Sequence, residues 1–329
     1  VRDRAIVVVC YEAAELLDVA SVTTPLAMAN VLGAVGRPYR VRVAAPGGGP
    51  VACGSGLTLG AHEPLEQVAG PLDTLVVSGG TGFERAADDV RLVGHVRRLA
   101  RESRRVASVC TGAAVLAAAG LLDGRRATTH WRYADRIASR HPGTVVDPTP
   151  LWVRDGHVYT AAGVTSALDL TLAFIEEDHG ADLARQVARH LVTYLQRPAD
   201  QAQLSMFTAA PAPRDDTIRT LLDHIAAHPA DDLGTEALAA RAAVTVRHLT
   251  RLFTLHLGRT PGQVVRAARV EAAAHLLRST TLPVATVAAR CGFASAESLR
   301  QVFTAHKGVP PSRYRREHAL GAPPRTTPA

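Results

Sequence analysis

Hydrophobic and polar positions follow two different rhythms along this 329-residue chain. In the first half, short apolar runs rich in Val alternate with stretches of helical spacing, the pattern of an α/β domain on a mostly parallel sheet. Four runs read as strands: Ala5 to Cys10 (AIVVVC), Tyr39 to Ala45 (YRVRVAA), Thr74 to Ser78 (TLVVS) and Val106 to Val109 (VASV). Helices are expected near Leu26 to Val35, Val90 to Glu102, Ala134 to Arg140 and Ser166 to Leu195. Beyond Asp216 strand signals stop. Ile218, Leu221, Leu222 and Ile225 recur at three-and-four spacing, so the last third is expected to be all helical. Pro198, Pro211 and Pro213 among small and polar residues mark a linker. The expected organisation is a domain over 1–196, a linker over 197–216, a helical domain over 217–318 and a disordered tail over 319–329.

Composition adds two constraints. Aromatics make up only 4% of the chain and Ala is abundant, so periodicity and punctuation carry more weight than helix propensity. The net charge of +7 is concentrated at one end. Arg241 to His318 holds thirteen Arg or Lys against Glu271, Glu297 and Glu317, a local +10 that leaves −3 for the rest. A basic module on a near-neutral protein is the electrostatic footprint of polyanion binding, most often nucleic acid. The cysteines, Cys10, Cys53, Cys110 and Cys291, are far apart and show no zinc-type pairing, so no metal or cofactor is expected. No segment approaches the ~18 uninterrupted apolar residues of a membrane span. A cytoplasmic location is the expectation.

The basic module contains an internal repeat. LAARAAVTVRHLTRLFTLHLGRTP from Leu238 aligns with VAARCGFASAESLRQVFTAHKGVPP from Val287, pairing Leu249 with Leu299, Phe253 with Phe303 and Gly258 with Gly308. The offset is fifty after the turn and forty-nine before it, so the second turn is one residue longer. Each copy has the parts of a helix-turn-helix, with Thr245 or Ser295 as the hydroxyl N-cap of a second, amphipathic helix. Burying Leu249, Leu252 and Phe253 leaves Arg247, Thr250 and Arg251 outward; burying Leu299, Val302 and Phe303 leaves Glu297, Ser298, Arg300 and Gln301 outward. In a major groove, Arg reads guanine through O6 and N7, Glu accepts from cytosine and Gln pairs with adenine. The connecting segment Pro261 to Arg278 has continuous helical periodicity and would hold the two motifs at fixed separation.

A second constellation lies in the α/β half. Cys110 follows the Val106 to Val109 strand and precedes Thr111, Gly112 and Ala113, where a buried strand turns into a helix. Such a side chain sits at the sheet's carboxyl edge, and the helix N-terminus favours its thiolate. The Ser78, Gly79, Gly80 turn offers backbone N–H donors nearby, and Asp18 and His130 are the expected polar partners. His130 also reads as a structural histidine.

The C-terminal segments LAARAAVTVRHLTRLF, ARVEAAAHLLR, VATVAARCGF and GVPPSRYRR resemble the AraC/XylS family of regulators, from Thr217 to Glu317. That resemblance implies base contacts from Arg247, Thr250 and Arg251 in one recognition helix, and from Glu297, Ser298 and Gln301 in the other. LLDVA, LVVSGG, VCTGAAVLAAAGLLDGRRATTHW and TAAGVTSALDL resemble the ThiJ/PfpI branch of the class I glutamine-amidotransferase-like fold, a flavodoxin-like sandwich, from about Ile6 to Leu195. The whole chain resembles the GlxA-like regulators, whose first domain senses a ligand or dimerises. Two departures stand out. Thr111 follows the cysteine where hydrolytic relatives commonly have His, and SVTTPLAMAN follows LLDVA where a Gly-Pro turn is usual.

The leading expectation is a DNA-binding, non-enzymatic regulator that dimerises and binds a small effector around Asp18, Gly79, Gly80, Cys110, Thr111 and His130. RNA polymerase is a further expected partner. The alternative is an enzyme of the isonitrile hydratase or amidase kind using Cys110, Asp18 and Thr111. A third reading is redox sensing at Cys110.

Overall fold

A computed structural model describes residues 3–33, 36–193, 197, 199, 203 and 216–318. The chain divides into two compact units, Val1–Gln203 and Leu204–Ala329. The expected tail over 319–329 lies outside the described residues, as does most of the expected linker. Two residues inside that linker are bound to the first unit. Arg197 holds the buried Asp169 at 2.7 Å, and the Gln203 amide donates to the Thr129 carbonyl at 2.8 Å.

The first unit is built on a seven-stranded sheet. Its strands are β1 (Arg4–Val9), β2 (Tyr39–Ala45), β5 (Glu63–Pro64), β6 (Leu72–Val77), β7 (Ser103–Val109), β10 (Trp152–Asp155) and β11 (Val158–Ala161). Short pairs, β3 (Val51–Ala52) with β4 (Thr58–Leu59) and β8 (Arg126–Ala127) with β9 (Val145–Val146), stand outside it. The spatial order is β10-β11-β7-β6-β1-β2-β5. Every pairing in the large sheet is parallel except β10 with β11. Helices cover both faces: α1 (Leu16–Leu32), α6 (Thr165–His179) and α7 (Ala181–His190) on one side, α2 (Phe83–Asp88), α3 (Val90–Arg101) and α4 (Gly112–Ala118) on the other. The helix α5 (Ala134–Arg140) follows β8. Burial on both faces explains why the central strands read as continuous Val runs rather than as an alternation.

Three expectations need correction. The first helix begins at Leu16, ten residues before the expected start, because Glu15 caps it and Pro25 is accommodated inside it. The single expected helix over 166–195 is two helices, broken at Gly180, whose φ of 90° no helix interior accepts. The strand at Val106 extends back to Ser103, so Arg104 and Arg105 are strand residues. Arg105 is only 2% exposed. Its guanidinium meets Asp178 at 2.6 Å, donates through Nε to the Thr74 hydroxyl oxygen at 3.1 Å and stacks 4.2 Å from the Phe174 ring centroid. A buried charge persists only when paired and hydrogen-bonded in this way.

Among the described residues the second unit is all helical: α8 (Asp216–Ala227), α9 (Thr235–Arg241), α10 (Val246–Leu257), α11 (Pro261–Ser279), α12 (Val284–Arg290), α13 (Ala296–Lys307) and α14 (Pro311–His318). It has two cores. One gathers Ile218, Leu238, Leu249, Phe253 and Val264; the other gathers Val270, Leu277, Val287, Leu299 and Phe303. The first half of α11 packs into one core and its second half into the other, so this helix is shared by both halves.

Candidate nucleic-acid interface and the Cys110 junction

The two helix-turn-helix copies superpose element by element in sequence. Between α9 and α10 lie four residues, and between α12 and α13 five, which is the longer second turn. Each turn passes through a left-handed residue at the same repeat position, Ala243 with φ 53° and Gly292 with φ 74°. The caps match as well. The Thr245 hydroxyl accepts from His248 N at 3.2 Å and the Ser295 hydroxyl from Ser298 N at 3.1 Å. Both helices stop at a left-handed glycine, Gly258 or Gly308. Leu249, Leu252 and Phe253 are buried in α10; Leu299 and Phe303 are buried in α13, with Val302 half-buried. A capping box of Thr260 with Gln263 starts α11.

The outer faces differ. In α10, Arg247 and Arg251 are exposed and Thr250 is half-buried. Among the described residues neither arginine has a carboxylate partner; Arg251 approaches only His248 Nδ1, at 3.4 Å. In α13, Glu297 is bonded by Arg300 through two contacts of 2.7 Å and by the Gln301 amide at 3.0 Å. Those bonds, from Arg300 first, hold the Glu297 carboxyl below the usual carboxylate range. Three of the four residues expected to face outward on this helix thus bind one another. The fourth, Ser298, is half-buried.

The Cys110 junction is a closed knot of backbone and side chains. Cys110 has φ 54°, a left-handed conformation costly for a residue with a Cβ. Its N–H donates to Ala161 O at 2.9 Å, and its carbonyl accepts from the Thr129 hydroxyl at 2.8 Å. Gly163, at φ 121°, lies against it so closely that an added Cβ would come 2.6 Å from the Cys110 Cβ. Asp18, fully buried in the first turn of α1, accepts from Gly79 N at 3.0 Å and from Val164 N at 2.7 Å. The Thr111 hydroxyl accepts from Gly80 N at 3.0 Å and donates to Gly80 O at 2.9 Å. The N–H groups of Gly79 and Gly80, expected as oxyanion donors, are therefore both already bonded.

The structure brings Asp18, Gly79, Gly80, Cys110 and Thr111 together. His130 follows Thr129, whose hydroxyl donates to the Cys110 carbonyl. Its Nδ1 accepts from Arg132 N at 3.2 Å and its ring stacks on Trp131. Burial first, then the charge of Arg132, lowers its pKa. The expected thiolate at Cys110 is also corrected. Burial first, then the Asp18 carboxylate, pushes the thiol up to about 12, outweighing the bonds to Thr111 that pull it down. Burial likewise pushes Asp18 up to about 7 against its two backbone N–H bonds.

Sequence reasoning did not single out Gly163, Val164, Thr129 or Tyr11. The first two lie in the quoted segment TAAGVTSALDL, where a glycine before a β-branched residue marked a turn. Tyr11 is 4% exposed and its hydroxyl stands beside the Thr111 side chain. It also lines a cavity of about 320 Å³ together with Glu12, Pro46, Val51, Arg85 and Asp89.

Residues 4–177 match the DJ-1/PfpI family. The chain belongs to this family. Residues 238–317 match a helix-turn-helix domain, so the DJ-1/PfpI domain is followed by an AraC-type module. Over 311 residues the chain is 35% identical to the HTH-type transcriptional regulator CdhR of Pseudomonas aeruginosa, covering 94% of this chain and 90% of that protein. It is 34% identical to the HTH-type transcriptional regulator GlxA of Rhizobium meliloti, covering 92% of each. It is 39% identical to an isonitrile hydratase of Pseudomonas putida over 142 residues, covering 43% of this chain and 60% of that enzyme. Similarity to the regulators thus runs through both the DJ-1/PfpI domain and the helical module, whereas similarity to the enzyme spans less than half of the chain. Among the described residues, no helix is long and apolar enough to cross a membrane.

Proposed function

We propose that this chain is a sequence-specific DNA-binding transcription regulator in which the α10 helix does most of the base reading. The observation that carries this is the pair Arg247 and Arg251, one turn apart, exposed, and without a carboxylate among the described residues to neutralise them. An arginine already paired with a carboxylate must give up that bond before it can fork onto guanine. Glu297, Ser298, Arg300 and Gln301 then position and strengthen the grip. The spacing is physically sensible. At 19 residues, α11 is roughly 28 Å long, on the order of the ~34 Å between successive major-groove faces on one side of DNA.

The DJ-1/PfpI domain, in this reading, is a non-catalytic dimerisation and effector-sensing domain of a cytoplasmic homodimer that works with RNA polymerase. Two copies engaging one operator raise effective affinity without new contacts, provided the linker spans the sites. The effector site is placed around Asp18, Gly79, Gly80, Cys110, Thr111 and His130, with the Tyr11 cavity alongside. The test is selection of duplexes from a random library by the full chain. A recovered sequence motif supports the reading, and unenriched duplexes overturn it.

The strained φ of Cys110 favours a second reading, a cysteine-dependent hydratase-like activity, because strain of this kind gathers at nucleophiles. Thiol chemistry separates the two. With the thiol held up to about 12, the thiolate fraction is negligible at neutral pH and grows only as pH rises toward that value. Iodoacetamide is expected to leave Cys110 unmodified at neutral pH and to label it progressively in alkali. Rapid labelling at neutral pH would favour the enzymatic reading.

A further inference from the structure

Three metal-ligating side chains converge at the end of α8. His224 lies on its last turn, His228 follows four residues later, and Pro229 turns the chain so that Asp231 comes back beside them. One ligand atom from each residue lies within 4.8 Å of the other two, and His224 Nε2 is 3.8 Å from Asp231 Oδ2. The two imidazole rings are 4.7 Å apart and tilted by 30°.

We propose that His224, His228 and Asp231 form a binding site for a divalent transition-metal ion of the Zn²⁺ class. Two imidazoles, one carboxylate and a water complete the four-coordination that zinc prefers. The backbone already supplies the outer support of such a site. His228 Nδ1 lies 3.2 Å from the His224 carbonyl, so it carries the proton and leaves Nε2 as the ligand, the arrangement that orients metal-bound histidines. Zinc bonds of roughly 2.0–2.1 Å need the three ligand atoms to close by about an ångström, which side-chain rotation allows because His228 and Asp231 are exposed. Arg241 acts electrostatically on His224. The negative charge of Asp231 is therefore needed to admit a cation.

The position gives such an ion a structural consequence. Arg269 of α11 donates to the carbonyls of Pro229 and Asp231, both at 2.9 Å, fixing the loop that carries Asp231. Gly292, the left-handed residue in the second helix-turn-helix turn, packs on the same loop; an added Cβ there would fall 2.3 Å from Pro229 O. A metal would tie α8, which packs in the first core, to a loop that seats the second motif. The cysteines, on which the expectation of no metal rested, take no part.

The test uses the full chain, stripped with a chelator and titrated with ZnCl₂ by calorimetry, beside His228→Ala and Asp231→Asn. Both positions are exposed, and metal-free melting curves matching the parent establish that the variants fold. One saturable site per chain is expected, weakened at least about tenfold in each variant, the scale on which even outer partners of metal ligands act. Co²⁺ should give tetrahedral visible bands in the parent that His228→Ala abolishes. Zinc binding of unchanged affinity in both variants, or no saturable binding in the parent, would overturn the site.

Discussion

The two helix-turn-helix motifs share a skeleton and differ in surface. Cap, left-handed turn residue, buried Leu and Phe, and terminal glycine recur at matched positions, and each motif has a core of its own. Yet α10 presents two exposed arginines with no carboxylate partner among the described residues, where α13 presents a Glu297 held by Arg300 and Gln301. The two copies share the residues that fold the motif and differ in those that face outward. The packing positions are therefore poor guides to which copy reads sequence, and the partners of the exposed charges are better ones.

That contrast is open to attack at several levels. The largest effect is expected in the cores. Phe253 and Phe303 are both fully buried, and replacing either with Ala should cost about 3–5 kcal/mol, with hydrogen exchange losing protection first in the half that carries the change. A substitution that melted both halves together would show that the shared α11 makes them one unit. Next come the caps. Thr245→Ala and Ser295→Ala should each lower stability by about 1 kcal/mol, and unequal losses in urea denaturation would break the equivalence of the two skeletons. The smallest effect is expected from Glu297→Gln. Removing the carboxylate releases Arg300 toward a phosphate, so the slope of log affinity against log salt should steepen by about 0.9. An unchanged slope would mean that Arg300 never reaches DNA.

Much of this was legible in the sequence because it depends on local chemistry. A hydroxyl before an amphipathic run, a glycine after it and a fifty-residue offset need no tertiary information. The parallel sheet was legible for the same reason, through its Val-rich runs. The hairpin of β10 and β11 was missed although Gly156-His157, a two-residue loop with glycine first, stands between the two runs; Gly156 has φ 62° there. The early start of α1 was hidden by Pro25 and by the β-branched Val22, Thr23 and Thr24. Arg105 could not be placed from sequence, since its burial depends on Asp178 and Phe174, roughly seventy residues away. The surroundings of Cys110 were hidden for a related reason. Position at an elbow was readable, but the closing of Gly163 over the thiol, and the burial that raises its pKa, are tertiary facts.

The central claim is that α10 reads bases and α13 chiefly grips. Random-duplex selection with two double variants tests it most directly: Arg247→Ala with Arg251→Ala, and Glu297→Ala with Gln301→Ala. The first pair should erase one segment of the recovered motif and lower discrimination by about tenfold or more, as loss of bidentate guanine contacts does, while the second pair leaves the motif intact. A motif that survives loss of both arginines, or that collapses when only Glu297 and Gln301 are removed, would contradict the account.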